Sequence, residues 1–187
     1  YLLAGLLIDD VSNYALLSGV HAVKKDGVYH RGMEGFCAEQ NMVQVPLAVL
    51  SEWERMECDH NEIWIVENPS IFARLCGEHP CMCMNGQPRL AGLLVLDLLA
   101  EAGTVIHYAG DLDPEGLLIA QKLSQYYKGA FYYWHMTEED YHMCRSEEAL
   151  SERRIGMLQK ITDPQLLPVA RAIAEYGMAG YQEKIDY

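Results

Sequence analysis

The chain has 187 residues, half of them hydrophobic, enough for one good-sized domain with a sizeable core. With 14 Lys and Arg against 27 Asp and Glu, its net charge of −13 excludes nucleic-acid binding by charge neutralisation alone, so any such role needs a metal, a local basic patch or a partner. No low-complexity tract, internal repeat or membrane-length apolar run is present, which leaves an ordered protein with no membrane partner and a cytoplasmic location as the expectation.

Residues 1–60 read as a lead-in segment. Residues 2–7 are apolar, Asp9-Asp10 break that run, and residues 14–23 are apolar again. Lys24-Lys25-Asp26-Gly27 predicts a turn, since Asp-Gly is a strong hairpin signal. Residues 42–45 predict a short strand, and Pro46 opens a helix through Leu47, Leu50 and Trp53. The start at Tyr1, without an initiator Met or a signal-peptide pattern, points to a C-terminal piece of a longer protein.

From residue 61 to 136 the pattern becomes regular and reads as the core. Residues 63–67 predict a strand, and Pro69 opens a helix that ends near Gly77. Residues 80–84 predict a second strand, closed by Asn85-Gly86. A helix over 89–102 stops at Gly103, and residues 104–109 predict a third strand. A helix over 114–127 and an aromatic strand over 130–136 follow. Such alternation means βαβ units: an α/β fold with about four mainly parallel strands, flanked by helices and joined by right-handed crossovers.

Residues 137–187 read as a C-terminal helical extension. Thr137 caps a helix with Asp140 at the capping-box position. A second helix is expected over 146–161. A third starts at Asp163-Pro164 and ends near Tyr176-Gly177, with Pro168 either kinking it or marking its true first turn. The six cysteines, Cys37, Cys58, Cys76, Cys81, Cys83 and Cys144, form no CxxC pair and have no His at zinc spacing, so reduced buried thiols are expected.

Two runs carry the chemistry: Ile63-Trp64-Ile65-Val66-Glu67-Asn68-Pro69, and residues 105–116, which include Gly110-Asp111-Leu112-Asp113-Pro114-Glu115-Gly116. Each is an apolar, β-prone run that ends in carboxylate. A parallel strand buried on both faces reads this way, and ligands bind beyond the carboxyl ends of such strands. Side by side, the two would bring Glu67, Asp111 and Asp113 together. Three carboxylates repel each other unless a cation joins them, and hard Mg²⁺ or Mn²⁺ suits oxygen ligands. Pro114 and Gly116 let the backbone turn closely into a helix N-terminus, where anions are favoured.

The plainer alternative is that both aspartates only cap that helix and that Glu67-Asn68-Pro69-Ser70 only opens one. Asn85 or Gln87 is placed to reach a phosphate, with an ordinary turn as the competing reading. His107 and His135 read as packing, as do Tyr132, Tyr133 and Trp134, for which stacking on a base is the alternative, and Lys122 is given no role.

A strand ending in Glu, followed by a strand ending in Asp-x-Asp-Pro-x-Gly, resembles the signature of Toprim domains. The second motif resembles that of the topoisomerase VI A subunit and its meiotic break-forming relative. The sequence is more similar to a bacterial family of Toprim proteins. That family carries in order the motifs seen here as Glu67-Asn68-Pro69, Gly86-Gln87-Pro88 and the run Gly110 to Gly116. Leu7-Ile8-Asp9-Asp10-Val11-Ser12 resembles the start of its C-terminal region, so the resemblance covers residues 7–145. That family is similar to the nuclease subunit of Wadjet anti-plasmid systems, which works with a condensin-like ATPase complex.

The resemblance implies a Toprim-like fold in which Glu67, Asp111 and Asp113 hold Mg²⁺ or Mn²⁺ and carry catalysis. It implies cleavage of double-stranded DNA together with condensin-like ATPase subunits. It also implies a longer parent protein that forms a homodimer and carries DNA-binding segments N-terminal to this piece. Topoisomerase VI relatives use a tyrosine in a separate winged-helix domain. None is visible here, so hydrolysis is expected over covalent, topoisomerase VI A-like strand breakage. The rival from another class is a non-catalytic module that clamps DNA or docks a partner. A phosphatase does not fit Pro114-Glu115, and a sugar-nucleotide enzyme needs a larger domain.

Overall fold

In the computed structural model, which describes residues 11–86 and 88–185, the two apolar runs that end in carboxylate lie side by side in a six-stranded sheet. The expectations for residues 2–10 and for Gln87 fall outside the described residues.

The lead-in begins with β1 (Tyr14–Ser18) and β2 (Val20–Lys24), divided by Gly19 at φ +67°, where a Cβ would press on the Pro80 backbone. The expected turn follows, with the Gly27 N–H donating to the Lys24 carbonyl at 2.8 Å. After α1 (Arg31–Ala38) come β3 (Val43–Pro46), α2 (Leu47–Leu50) and β4 (Trp53–Cys58). The helix expected through Trp53 therefore stops at Leu50. Leu47, Leu50 and Trp53 do share a helical period, but Trp53 opens β4, which pairs antiparallel with β2 and buries the indole. A strand partner remote in sequence overrides the local pattern.

The next elements keep the expected order: β5 (Glu62–Val66), α3 (Pro69–Leu75), β6 (Cys81–Cys83), α4 (Leu90–Glu101), β7 (Val105–Ala109), α5 (Pro114–Tyr126) and β8 (Phe131–Tyr133). Four of these strands run parallel, with Trp64 opposite Cys81 and His107, and His107 opposite Tyr132. The expected count of about four strands is short by two. β1 pairs antiparallel with both β6 and β3, so the sheet runs β3-β1-β6-β5-β7-β8. The sheet is mostly parallel and flanked by helices, and the extra pairings are long-range contacts that no local periodicity encodes.

Strand alternation divides the side chains between two layers. Ile63, Ile65, Met82, Ile106 and Tyr108 belong to the larger core with Leu96 and Leu99 of α4 and Leu117 and Ala120 of α5. Val66, Cys81, Cys83 and Ala109 pack with Ile71 and Phe72 of α3 on the opposite face. All six cysteines are free thiols.

The C-terminal part holds α6 (Glu138–Cys144), β9 (Arg145–Ala149), α7 (Glu152–Met157), α8 (Leu167–Tyr176) and β10 (Met178–Gly180). The Thr137–Asp140 capping box forms as expected. The helix expected over 146–161 does not begin until Glu152. Residues 145–149 instead pair antiparallel with β10, and Ser151 is the true cap, its Oγ accepting the Arg154 N–H at 3.4 Å. Pro168 lies in the first turn of α8, the second of its two expected placements. No helix among the described residues is long and apolar enough to cross a membrane.

Candidate metal centre

Glu67 is the first residue after β5, and Asp111 is the second after β7. Val66 lies opposite Ala109 in the parallel register, and the Glu67 N–H donates to the Ala109 carbonyl at 3.2 Å. Both acids thus arrive at one carboxyl edge, where the two strand ends and their loops open a crevice. Gly110 permits the approach: a Cβ there would sit 3.1 Å from Glu67 Oε2 and 3.0 Å from the Tyr108 hydroxyl.

The Glu67 carboxyl is pushed up to about 7, first by burial and then by the Asp111 charge. The Asp111 backbone N–H opposes this, and the Asp113 charge adds a smaller push. Glu67 Oε2 is buried and takes no hydrogen bond among the described residues, and the same holds for the Tyr108 hydroxyl. Burial also raises Asp111, opposed by the Gln182 N–H, which donates to Oδ1 at 3.1 Å. Asp111 Oδ2 is left without a protein hydrogen bond among the described residues.

Asp113 is placed differently. It is the N-cap of α5, with Oδ1 accepting the Gly116 N–H at 2.7 Å, while Oδ2 accepts from Arg154 Nη2 at 2.6 Å. Arg154 also donates to Glu115 from Nε at 3.0 and 3.1 Å and from Nη2 at 2.7 Å, and its Nη1 lies 3.6 Å from Glu148. Burial raises the Asp113 carboxyl, and the Gly116 N–H and Arg154 pull it back. Gly116 has to be glycine, because a Cβ there would run into the Asp111 carbonyl oxygen.

The structure therefore brings Glu67 to Asp111 and holds Asp113 beside them, committed to a cap and an ion pair. Among the described residues, no three or more His, Cys, Asp or Glu side chains are grouped as a metal ligand set. The capping alternative holds for Asp113, and Asn68 likewise caps α3 through the Ser70 N–H at 2.7 Å. A hard dication nevertheless fits part of this edge. Mg²⁺ is commonly held by one or two carboxylates, with waters and phosphates completing its shell. The orphaned Glu67 oxygen and the spare Asp111 oxygen make such a pair, whereas an ion on Asp113 would lie against the Arg154 charge.

Sequence reasoning missed the residues that close this edge. Leu112 and Gly180 exchange backbone hydrogen bonds at 2.9 Å, which lays the C-terminal segment across it. Gln182 follows, fully buried and with neither amide atom partnered among the described residues. Glu183 Oε1 accepts from Asn68 Nδ2 at 2.5 Å. Charge balance calls for a cation near so many acids, but Arg154 lies 41 residues from Asp113 in the chain, and nothing local singles it out.

Of the other candidates, Asn85 lines a pocket with Pro69, Cys83 and Arg89 beside the edge. His107 stacks between Trp64 at 4.8 Å and Tyr132 at 5.8 Å, but Tyr132 is 55 % exposed rather than packed as expected. Lys122 is exposed.

No curated protein matches this sequence. The family model described as "Protein of unknown function C-terminus (DUF2399)" matches residues 43–186, from β3 through the acidic edge to the segment that closes it. The match spans well over half of the chain, which therefore belongs to the DUF2399 family.

Proposed function

We propose that the chain is a Toprim-like nuclease module whose acidic edge holds Mg²⁺ or Mn²⁺ for cleavage of a DNA phosphodiester. In this reading it is the nuclease part of a cytoplasmic, Wadjet-like anti-plasmid assembly with condensin-like ATPase subunits. It acts on double-stranded DNA and dimerises through its parent protein. The observation that carries the chemistry is the buried Glu67 oxygen with no hydrogen-bond partner, facing Asp111 across neighbouring parallel strand ends. An orphaned, desolvated carboxylate beside a second one is costly unless a cation arrives. The ordered motifs at Glu67, Gly86 and Gly110 to Gly116 support the wider assignment.

When bound, the dication would supply polarisation of a phosphate oxygen and charge stabilisation at the leaving oxygen. Glu67 and Asp111 would hold it. Where Asp111 alone holds the ion, Glu67 would instead accept the proton from attacking water. Tyr108, buried beneath Gly110, supports the floor of the edge. The charge the protein lacks for gripping DNA is left to its partners.

The complete assembly, assayed on circular and linear duplex DNA with Mn²⁺, is expected to cleave. Asp111→Asn should lower cleavage by about 100-fold or more, the scale of removing a main source of electrostatic stabilisation. Equal cleavage by wild type and Asp111→Asn would refute the proposal. The ion pair that occupies Asp113 favours a second reading, a non-catalytic module that clamps DNA or docks a partner. Failure of the wild-type chain to bind Mn²⁺ would select it.

A further inference from the structure

We infer that Arg154 is the resident cation of Asp113, so that the acidic edge takes one divalent ion on Glu67 and Asp111 rather than an ion shared by all three acids. This rests on the metal reading above and specifies its ligand set.

Both Asp113 oxygens are already engaged, one by the Gly116 N–H at 2.7 Å and one by Arg154 at 2.6 Å. An ion bound to Oδ2 would sit against a guanidinium that cannot lose its charge. The Arg154 fork is also held from several sides. It makes three hydrogen bonds to Glu115 besides the one to Asp113, and Glu148 lies 3.6 Å away. Releasing it would leave partly buried acids without their counter-charge, the expensive way to break an ion pair. Its origin is fixed too, since Ser151 caps α7 and α7 packs on α5.

Glu67 and Asp111 lack any such partner. Among the described residues neither makes a salt bridge, and each retains an oxygen that no protein donor fills. Charge compensation is therefore split along the edge: an internal guanidinium serves Asp113, Glu115 and Glu148, and an external dication serves the other pair. Asp113 becomes a positioning residue. It fixes the first turn of α5, and through the tight Gly116–Asp111 packing it fixes the peptide that carries Asp111.

The test is Mn²⁺ titration of the 187-residue chain, read by calorimetry and by the loss of the free-ion electron-spin signal, with thermal melting as the folding control. Wild type should bind one ion. Asp111→Asn should weaken binding by more than about 100-fold. Asp113→Asn, which keeps a capping side chain, should weaken it by no more than about 10- to 100-fold, the range for groups outside the ligand set. Arg154→Gln should uncover Asp113 and give tighter binding or a second ion, a change that loss of packing would not produce. Loss of binding in Asp113→Asn as complete as in Asp111→Asn, with a normal melt, would overturn the inference. So would an Arg154→Gln protein that binds Mn²⁺ as wild type does. No binding by wild type would instead overturn the metal reading beneath it.

Discussion

Glu67 shows how much one buried carboxyl group can reveal. Its folded value of about 7 stands above the ordinary 4.5, so the folded chain holds a proton that the unfolded chain has already released over that interval. Stability from this group is full at or below pH 4.5, declines as pH rises to 7 and levels off above it, with roughly 3 kcal/mol lost by pH 8. Urea melts in chelator should show that decline in wild type and a flatter profile in Glu67→Gln. Adding Mn²⁺ should restore wild type at pH 8, because a dication favours the charged carboxylate, and should leave the variant almost unchanged. An identical pH slope in both proteins would contradict the burial of this group. The acids themselves were legible, because a β-prone run ending in carboxylate is a local pattern. That Asp113 would face Arg154 was not, since the partner sits on another element far along the chain.

At the scale of elements, caps and turns mark most boundaries. Thr137 Oγ1 accepts the Asp140 N–H at 3.2 Å, and the Asp140 carboxylate accepts the Thr137 N–H at 2.9 Å. Thr137→Ala should destabilise the chain by about 1 kcal/mol, read as a shift in the denaturation midpoint. Asp140→Ala should cost more, since it also removes the contact with His135 at 3.1 Å. Equal melting of wild type and Asp140→Ala would show that α6 does not depend on its cap. The misread elements share one cause. Ser146 to Ala149 and the turn after Leu50 look helical locally, but each borders a strand whose partner is remote in sequence: β10 for β9, and β2 for β4. Side-chain period decides helix against strand only when no distant edge competes for the backbone.

At the scale of the whole molecule, a net charge of −13 leaves few cations for phosphate. The chain alone should show no binding to duplex DNA by fluorescence anisotropy at about 150 mM salt, where non-specific affinity follows the number of phosphates neutralised. Micromolar binding would show that the fold gathers a basic face despite its composition. Composition, periodicity and motif order by themselves determined the α/β class, the parallel run of four strands with its helices, and the two strand ends that carry Glu67 and Asp111. These depend on patterns a few residues long, which is the range over which period and capping act. Only the tertiary structure decided that β1 and β3 widen the sheet to six strands, that residues 180–183 close over the acidic edge, and that a guanidinium holds Asp113. Each of those depends on which distant segments bury one another's backbone and charge, and that choice is made by the assembled chain as a whole.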